Sequence, residues 1–189
     1  MSAPCIFLDR DKTLIEDPSY IDAPNAVRLL PGVGPALRRL SEAGYKLVIV
    51  TNQSGIARGI LGVSTLEAIH AELARQLQSE GVRLAGIYYC PYYPGGSVPE
   101  FCRESDERKP ASGMLLRAAR ELDLDLAQSW MTGDSPRDIQ AGRRAGCRTV
   151  FIRSPGKALP TEPDAQPDFT AADMAEAAEL ILSPSSAAT

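Results

Sequence analysis

Short apolar runs alternate with longer amphipathic segments along this chain. Five runs rich in aliphatic and aromatic residues predict strands at residues 5–8, 46–50, 86–89, 129–132 and 148–152. Between the strands, apolar residues recur at helical spacing and predict helices that begin near residues 33, 64, 115 and 136. Strands that alternate with helices in this way are typical of a parallel sheet covered on both faces. We therefore predict an α/β fold with a central, mostly parallel sheet flanked by helices.

Local signals mark where several helices begin and end. Ser64-Thr-Leu-Glu67 has the spacing of a capping box and predicts a helix start. Gly44 and Gly146 follow amphipathic segments and predict helix ends. A last helix is expected around residues 172–182, and the polar residues 183–189 are expected to form a disordered tail beyond a domain spanning 1–182.

A proline-rich stretch interrupts the alternation between residues 91 and 110. It contains four prolines as well as Gly95 and Gly96, which predicts a long irregular loop. Loops of this length in compact domains are usually functional or held in place by specific contacts.

Composition and charge exclude several classes of protein. The chain has 189 residues and a net charge of −4, so bulk electrostatic binding to nucleic acid or to an anionic membrane is not expected. No apolar run approaches the roughly 20 residues of a membrane-spanning helix, and we read no signal peptide at the start of the chain. Four cysteines are too few for a disulfide scaffold. These features favour a cytoplasmic monomer that acts on a small molecule.

Candidate chemistry follows the predicted strands. Asp9 and Asp11 come directly after the first strand, and Asp134 and Asp138 follow the fourth. The carboxyl ends of parallel strands meet at one edge of a sheet, where ligands bind in open α/β folds. Convergence there would set carboxylates around a hard cation, and Mg²⁺ is favoured because it accepts carboxylates, waters and phosphate oxygens.

Groups that suit a phosphate follow two other segments. Thr51-Asn-Gln-Ser-Gly55 ends the second strand with hydroxyl, amide and backbone donors, and Lys109 precedes the third helix. Each motif alone is equally compatible with an ordinary polar turn or a solvated charge. Their order at successive strand ends indicates a phosphoryl site, in which the metal and one lysine reverse the local negative charge.

The motifs together resemble a known superfamily. Those that carry the resemblance are Asp9-Arg-Asp-Lys-Thr13, Thr51-Asn-Gln-Ser-Gly-Ile-Ala-Arg-Gly59, Arg108-Lys-Pro110 and Gly133-Asp-Ser-Pro-Arg-Asp138. In order and spacing they resemble the haloacid dehalogenase superfamily, in its histidinol-phosphatase-like branch, over nearly the whole chain. The resemblance implies a single Rossmann-like three-layer domain with little or no cap domain.

The resemblance also implies a mechanism and a set of site residues. Asp9 would be the nucleophile that becomes an aspartyl-phosphate, and Asp11 the general acid and base. Mg²⁺ would be held by Asp9, by the backbone carbonyl of Asp11 and by Asp134, while Asp138 orients these groups. Residues expected to bind substrate are Thr51, Asn52, Gln53, Ser54 and Lys109 at the phosphoryl group, and Asp17, Pro18, Ser19, Tyr20 and Arg108 at the sugar or its second phosphate.

Two departures from the branch's pattern concern the catalytic turn and the long loop. Lys12 stands where the branch usually has glycine, so either the turn requires a positive φ at a cost of about 1 kcal/mol, or the lysine points outward or adds charge for the substrate. Relatives usually hold the loop with a structural zinc, but of the four expected ligand positions only Cys90 matches here. With Cys102 out of register, we expect no structural zinc. Packing among Tyr88, Tyr89, Tyr92, Tyr93 and Phe101 is the expected substitute.

The expected activity is Mg²⁺-dependent hydrolysis of a phosphorylated sugar, with a heptose bisphosphate as the leading substrate. Histidinol phosphate or another small phosphomonoester is the alternative within the same reaction class. A receiver-like signalling domain shares an acidic cluster, a threonine and a lysine, but such domains are shorter and lack a second acid at the position of Asp11. A non-catalytic phosphosugar-binding protein is a further alternative. His70 has no partner at ligand spacing and is expected to be structural.

Overall fold

The fold is described from a computed structural model, which covers residues 2–17, 20–153 and 158–183. Pro18, Ser19 and the predicted tail beyond Ser183 lie outside the described residues. The strands are β1 (Cys5–Leu8), β2 (Lys46–Asn52), β3 (Gly86–Cys90), β4 (Trp130–Gly133), β5 (Arg148–Ile152) and β6 (Phe169–Ala171). The helices are α1 (Val33–Glu42), α2 (Val63–Ser79), α3 (Gly113–Leu122), α4 (Pro136–Ala145) and α5 (Met174–Leu182).

All neighbouring strands of the sheet run parallel, in the order β3-β2-β1-β4-β5-β6. The chain builds outward from β1 through β2 to β3, then returns to the other side of β1 with β4. Strand order therefore reverses between β1 and β4, and this switch point opens a crevice at the carboxyl ends of the two strands. The predicted carboxylates follow these two strands.

Two apolar layers cover the sheet, one on each face. Along β1, Ile6 and Leu8 face a core completed by α1, α2 and α5, whereas Cys5 and Phe7 face a second core completed by α3 and α4. Side chains of a strand alternate between faces, so a strand buried on both sides is apolar at every position. This explains why unbroken apolar runs marked the strands in the sequence, and it confirms the predicted three-layer α/β architecture.

Two local predictions are wrong. Helix α2 begins at Val63 with Gly62 as its N-cap and no side-chain cap, so Ser64 lies inside the first turn and does not form the predicted capping box with Glu67. The sheet also has a sixth strand, β6, which the sequence analysis did not predict. With only three residues after a proline-rich segment, β6 is too short to show a recognisable hydrophobic pattern. Its pairing with β5, which begins with Val150 opposite Phe169, identifies it as a strand.

The long loop is irregular, as predicted, but its aromatic residues do not form one cluster. Tyr92 packs against Phe101 with ring centroids 6.1 Å apart, whereas arginine side chains stack on the tyrosine rings. The Arg103 guanidinium lies 3.9 Å from the Tyr92 centroid, and Arg58 lies 4.3 Å from that of Tyr93. Cation–π contacts of this kind contribute about 0.5–1 kcal/mol each at exposed sites.

The four cysteines are free thiols. In the loop, the Cys90 thiol is buried and lies 4.0 Å from the Tyr92 carbonyl, while the exposed Cys102 thiol donates to the Pro94 carbonyl at 2.9 Å. None of the helices in the described part of the chain is both long and apolar enough to cross a membrane.

Candidate active site

Four segments bring polar side chains to the crevice at the switch point. Asp9 directly follows β1, and its backbone N–H donates to the Thr132 carbonyl at 2.9 Å, which fixes it beside β4. Asp134 directly follows β4. The crevice has a volume of about 340 Å³ and is lined by Asp9, Arg10, Asp11, Lys12, Asp17, Tyr20, Ile21, Thr51, Asn52, Gln53, Ser54, Arg108, Lys109, Asp134, Ser135, Arg137 and Asp138.

Lys109 is the buried cation of the site. Its side chain is 2% exposed, and its Nζ donates to Asp9 Oδ1 at 2.6 Å and to the Val50 carbonyl at 2.8 Å, and lies 2.6 Å from Asp138 Oδ1. These three acceptors match the three protons of an ammonium group. The fixed geometry directs the charge at the carboxylate of Asp9.

Asn52 holds the backbone that carries Lys109. Its Oδ1 accepts from the Lys109 N–H at 3.0 Å, and its Nδ2 donates to the Lys109 carbonyl at 2.9 Å. The amide therefore binds both the backbone N–H and the backbone C=O of Lys109, 57 residues away in sequence. The sequence analysis expected Asn52 to bind substrate; here its side chain fixes the lysine.

Asp138 connects Lys109 to the start of α4. Its Oδ2 accepts from the Ser135 N–H at 2.9 Å, which completes a capping box with Ser135 as N-cap. Gly133 permits this arrangement, because a Cβ at that position would overlap the carboxylate of Asp138. The two oxygens of Asp138 therefore contact Lys109 and the first turn of α4.

The carboxylates of the site carry more negative charge than Lys109 neutralises, which favours a bound cation. Single carboxylate oxygens of Asp9, Asp134 and Asp138 lie within 4.8 Å of one another, and the three residues are buried. Three carboxylates against the single ammonium of Lys109 leave an excess of two negative charges. An all-oxygen donor set with this charge fits a hard divalent cation such as Mg²⁺.

The same imbalance affects proton binding. Burial raises the pKa of the Asp9 carboxyl to about 7; Lys109 opposes the rise, and Asp138 and Asp11 add to it. Burial alone would lower the pKa of Lys109, but Asp138 and Asp9 together raise it above its ordinary value. Without a bound cation, Asp9 and Lys109 both hold their protons more tightly than they would in water.

Asp11 is held away from the lysine. Its Oδ1 accepts from Arg10 Nε at 2.8 Å and lies 2.8 Å from Arg10 Nη2, and its Oδ2 accepts from Gln53 Nε2 at 3.0 Å. Gln53 also donates to Thr51 Oγ1 at 2.9 Å. The carboxyl of Asp11 therefore has a different set of neighbours from that of Asp9, as two different chemical roles require.

The sequence analysis missed Arg10 and assigned no function to His70. The Arg10 side chain is 3% exposed, and its Nη1 lies 3.2 Å from His70 Nε2. An arginine between two aspartates at a strand end was a usable signal for Arg10. No sequence signal linked His70 to this site, because the contact spans 60 residues.

His70 is held in its neutral form. Burial lowers the pKa of the imidazole to about 3, and the Arg10 guanidinium adds to this effect. The guanidinium has no acceptor, so Nε2 of His70 accepts from Arg10 and the ring proton lies on Nδ1.

The stability of the protein should therefore fall in mild acid because of His70. An unfolded histidine titrates near pH 6.5, so between about pH 6.5 and pH 3 the unfolded chain binds one more proton than the native chain at this residue. The contribution of neutral His70 to the free energy of unfolding is complete above pH 6.5 and decreases as the pH falls. Urea unfolding measures this effect. Between pH 7 and pH 5, the free energy of unfolding should decrease by about 2 kcal/mol more in the wild type than in His70→Gln. Equal losses would contradict a neutral buried imidazole.

Lys12 occupies the left-handed region of backbone conformation, with φ of 61°, and its side chain is exposed. The turn therefore has the positive φ that was one of the alternatives for this position, and Lys12 is both exposed and part of the crevice lining. Lys12 N–H donates to the Ile15 carbonyl at 2.8 Å, which closes the turn after β1.

Replacing Lys12 by glycine should stabilise the protein. Glycine adopts a positive φ without the Cβ clash, so Lys12→Gly is expected to raise the free energy of unfolding by about 0.5–1 kcal/mol. Lys12→Ala is the matched control, since it removes the same charge and keeps the Cβ. A similar gain in both variants, measured by urea unfolding, would assign the effect to charge and not to the backbone.

The residues expected to contact the sugar surround the mouth of the crevice. Asp17, Tyr20 and Arg108 line it, and Tyr20 is 47% exposed. Arg108 lies 5.1 Å from the Tyr93 ring centroid and donates through Nη1 to the Tyr92 carbonyl at 3.3 Å. The long loop thus delivers one arginine to the rim of the crevice.

A crevice lined by carboxylates and a buried lysine at the switch point of a parallel α/β fold suits phosphoryl transfer, and comparison with known proteins identifies the class. The HAD-hydrolase-like family model matches residues 107–177. The D-glycero-beta-D-manno-heptose-1,7-bisphosphate 7-phosphatase of Yersinia pestis is 41% identical over 180 residues, covering 95% of this chain and 96% of that protein. The enzyme of the same name from Escherichia coli K12 is 40% identical over 95% of this chain and 94% of its own length.

A solved structure extends the similarity to the fold. The D,D-heptose 1,7-bisphosphate phosphatase from B. bronchiseptica, complexed with magnesium and phosphate, is 34% identical with a TM-score of 0.81, covering 95% of this chain and 98% of its own. The chain belongs to the haloacid dehalogenase superfamily of hydrolases. Among the members of that superfamily, it is similar over nearly its whole length to phosphatases of heptose bisphosphate.

Proposed function

We propose that this protein is a Mg²⁺-dependent phosphatase that removes the 7-phosphate of D-glycero-D-manno-heptose 1,7-bisphosphate and leaves the 1-phosphate. The observation that carries the proposal is the placement of Asp9 at the switch point, with Lys109 2.6 Å from its carboxylate and Asp134 beside it. The named relatives, which share about 40% of their residues with this chain, support the substrate.

The chain's own residues account for both halves of the reaction. A carboxylate oxygen of Asp9 attacks phosphorus, the bond from phosphorus to the sugar oxygen breaks, and Asp11 donates a proton to that oxygen. Water then attacks phosphorus and gives a proton to Asp11, while the bond between phosphorus and Asp9 breaks to release inorganic phosphate. Lys109 neutralises charge on the phosphoryl oxygens throughout.

The metal would be held by the carboxylates of Asp9 and Asp134 and by the backbone carbonyl of Asp11. When bound, Mg²⁺ supplies positive charge to the phosphoryl oxygens. The arrangement of Asp11 supports a backbone contact, because Arg10 and Gln53 hold its carboxyl group.

The residues at the mouth of the crevice would bind the rest of the substrate. We place the sugar against Asp17 and Tyr20, and the remaining phosphate near Arg108, which is charged and lines the crevice. Pro18 and Ser19 belong to the same predicted set. The proposed working unit is a monomer in the cytoplasm, whose reducing conditions suit four free thiols.

A substrate panel tests the activity. Phosphate release should be measured with and without Mg²⁺ on the heptose bisphosphate, fructose 1,6-bisphosphate, glucose 6-phosphate and histidinol phosphate, and ³¹P NMR should show which phosphate leaves. We expect Mg²⁺-dependent release with the highest kcat/KM on the heptose bisphosphate. Preference for histidinol phosphate would favour the alternative activity, and no turnover on any compound would indicate a phosphosugar-binding protein.

Replacing Arg108 should weaken binding of the second phosphate. Arg108→Met is expected to raise KM for the heptose bisphosphate about 10- to 100-fold, since a charge-assisted contact contributes about 1.5–3 kcal/mol. Turnover of p-nitrophenyl phosphate, which has no second phosphate, should change little. Arg103→Met is the matched control, because Arg103 stacks on Tyr92 outside the crevice. An unchanged KM for the bisphosphate would remove Arg108 from the substrate site.

A further inference from the structure

His70 is the one histidine of the chain, and the proposed reaction makes no use of it. It lies within α2, is 7% exposed, and packs against Tyr89 with ring centroids 5.6 Å apart and planes inclined by 59°. These contacts alone are compatible with a histidine that only fills space in the core. Its Nε2, however, faces a buried guanidinium at 3.2 Å.

Arg10 links His70 to Asp11. Its three nitrogens divide their contacts: Nε and Nη2 lie 2.8 Å from Asp11 Oδ1, and Nη1 faces His70. A guanidinium is rigid and planar, so contacts on two of its edges fix its orientation. The histidine therefore sets the plane from which Arg10 holds the carboxyl of Asp11.

The other side of Asp11 is held independently. Gln53 Nε2 donates to Oδ2 of Asp11 at 3.0 Å and to Thr51 Oγ1 at 2.9 Å. A carboxyl oxygen has two lone pairs, so Oδ2 can accept from Gln53 and still carry a proton. With Oδ1 engaged twice by Arg10, Oδ2 is the oxygen suited to exchange that proton.

We propose that His70 is a positioning residue for proton transfer: through Arg10, it orients the carboxyl of Asp11 toward the oxygen that leaves phosphorus. This inference rests on the proposed function. Proton transfer by a placed acid contributes about 10²- to 10⁴-fold to rate and requires hydrogen-bond distance to the reacting atom. Loss of the His70 contact frees one edge of Arg10 and widens the range of directions that Asp11 samples.

The test compares two leaving groups in one set of variants. His70→Leu removes the acceptor, whereas His70→Gln places an amide oxygen near the position of Nε2. In His70→Leu, kcat/KM for the heptose bisphosphate should fall about 10- to 100-fold, because a sugar alkoxide cannot leave without a proton. The value for p-nitrophenyl phosphate should fall less than about threefold, since nitrophenolate leaves without one. His70→Gln should restore both values.

Two further variants keep the comparison interpretable. Gln78→Leu makes a similar replacement at an exposed position of α2 and should leave kcat/KM unchanged for both substrates. If His70→Leu does not fold, His70→Asn replaces it, because the shorter amide cannot reach Arg10; the same difference between substrates is expected. Thermal unfolding confirms that each assayed variant is folded.

The outcomes separate this inference from the proposed function. Equal losses of kcat/KM on both substrates, or no loss on either, would overturn the positioning role and leave His70 as a packing residue. If the wild-type protein shows no turnover, or shows turnover that persists in Asp9→Asn, the proposed function and the inference are both overturned. A selective loss on the sugar phosphate, restored by glutamine, supports the inference.

Discussion

Asp9→Asn should abolish phosphate release from every substrate and leave the protein folded. An asparagine amide is not a nucleophile toward phosphorus, so we expect kcat to fall by at least about 10⁴-fold, within the range seen when covalent nucleophiles are removed. Phosphate release assays and mass spectrometry of the protein, which detects the aspartyl-phosphate, measure the effect. Turnover that survives this change would exclude Asp9 as the nucleophile.

The same variant should not be less stable without a cation. Burial raises the pKa of the Asp9 carboxyl to about 7 against the opposing effect of Lys109, and repulsion from Asp138 and Asp11 adds to the rise. A neutral amide relieves that repulsion, so the midpoint of thermal unfolding in EDTA should be equal to or above that of the wild type. The increase on adding Mg²⁺ should shrink, because one ligand is lost. Asp123→Asn, at the far end of α3, is the matched control for both measurements.

Lys109→Met should lose both activity and stability. The ammonium is the shared partner of Asp9 and Asp138 at 2.6 Å each and is 2% exposed. Removing one member of a buried ionic group leaves the remaining charges uncompensated, which costs about 3–5 kcal/mol. Loss of a cation that stabilises the transition state lowers kcat about 10²- to 10³-fold.

Urea unfolding and phosphate release measure the two effects of Lys109→Met, and Mg²⁺ should restore part of the stability but not the activity. Lys46→Met is the matched control, since Lys46 is exposed and bonds only a helix-terminal carbonyl among the contacts described for its side chain. A loss of less than about 1 kcal/mol in Lys109→Met would mean that the carboxylates reach other partners.

The layered fold and the position of the site were predictable because both depend on local patterns. A strand buried on both faces must be apolar throughout, and the predicted strands at residues 5–8 and 148–152 match β1 and β5. Helix α4 was predicted with both of its ends, since Ser135, Pro136 and Gly146 provide a cap, a first-turn proline and a left-handed terminus. The short strand β6 was not, because its pairing with β5 defines it, and the capping box predicted for α2 is absent because the helix begins after Gly62.

The candidate site divides in the same way. The aspartates and Lys109 could be selected from the sequence, because strand ends in a parallel sheet meet at one edge. The contacts that hold these groups in place could not be predicted. Asn52 binds the backbone of Lys109, and Arg10, with His70 behind it, orients Asp11.

The sequence by itself determined the α/β class, the crevice and the acidic residues that line it, because burial and strand order leave a periodic record in the chain. Only the tertiary structure decided which carboxylate faces Lys109 and which faces Arg10. The contact of Asp9 with Lys109 joins residues 100 positions apart, and Asp11, which bonds its sequence neighbour Arg10, is also held by Gln53 from 42 positions away. No local pattern encodes these side-chain directions.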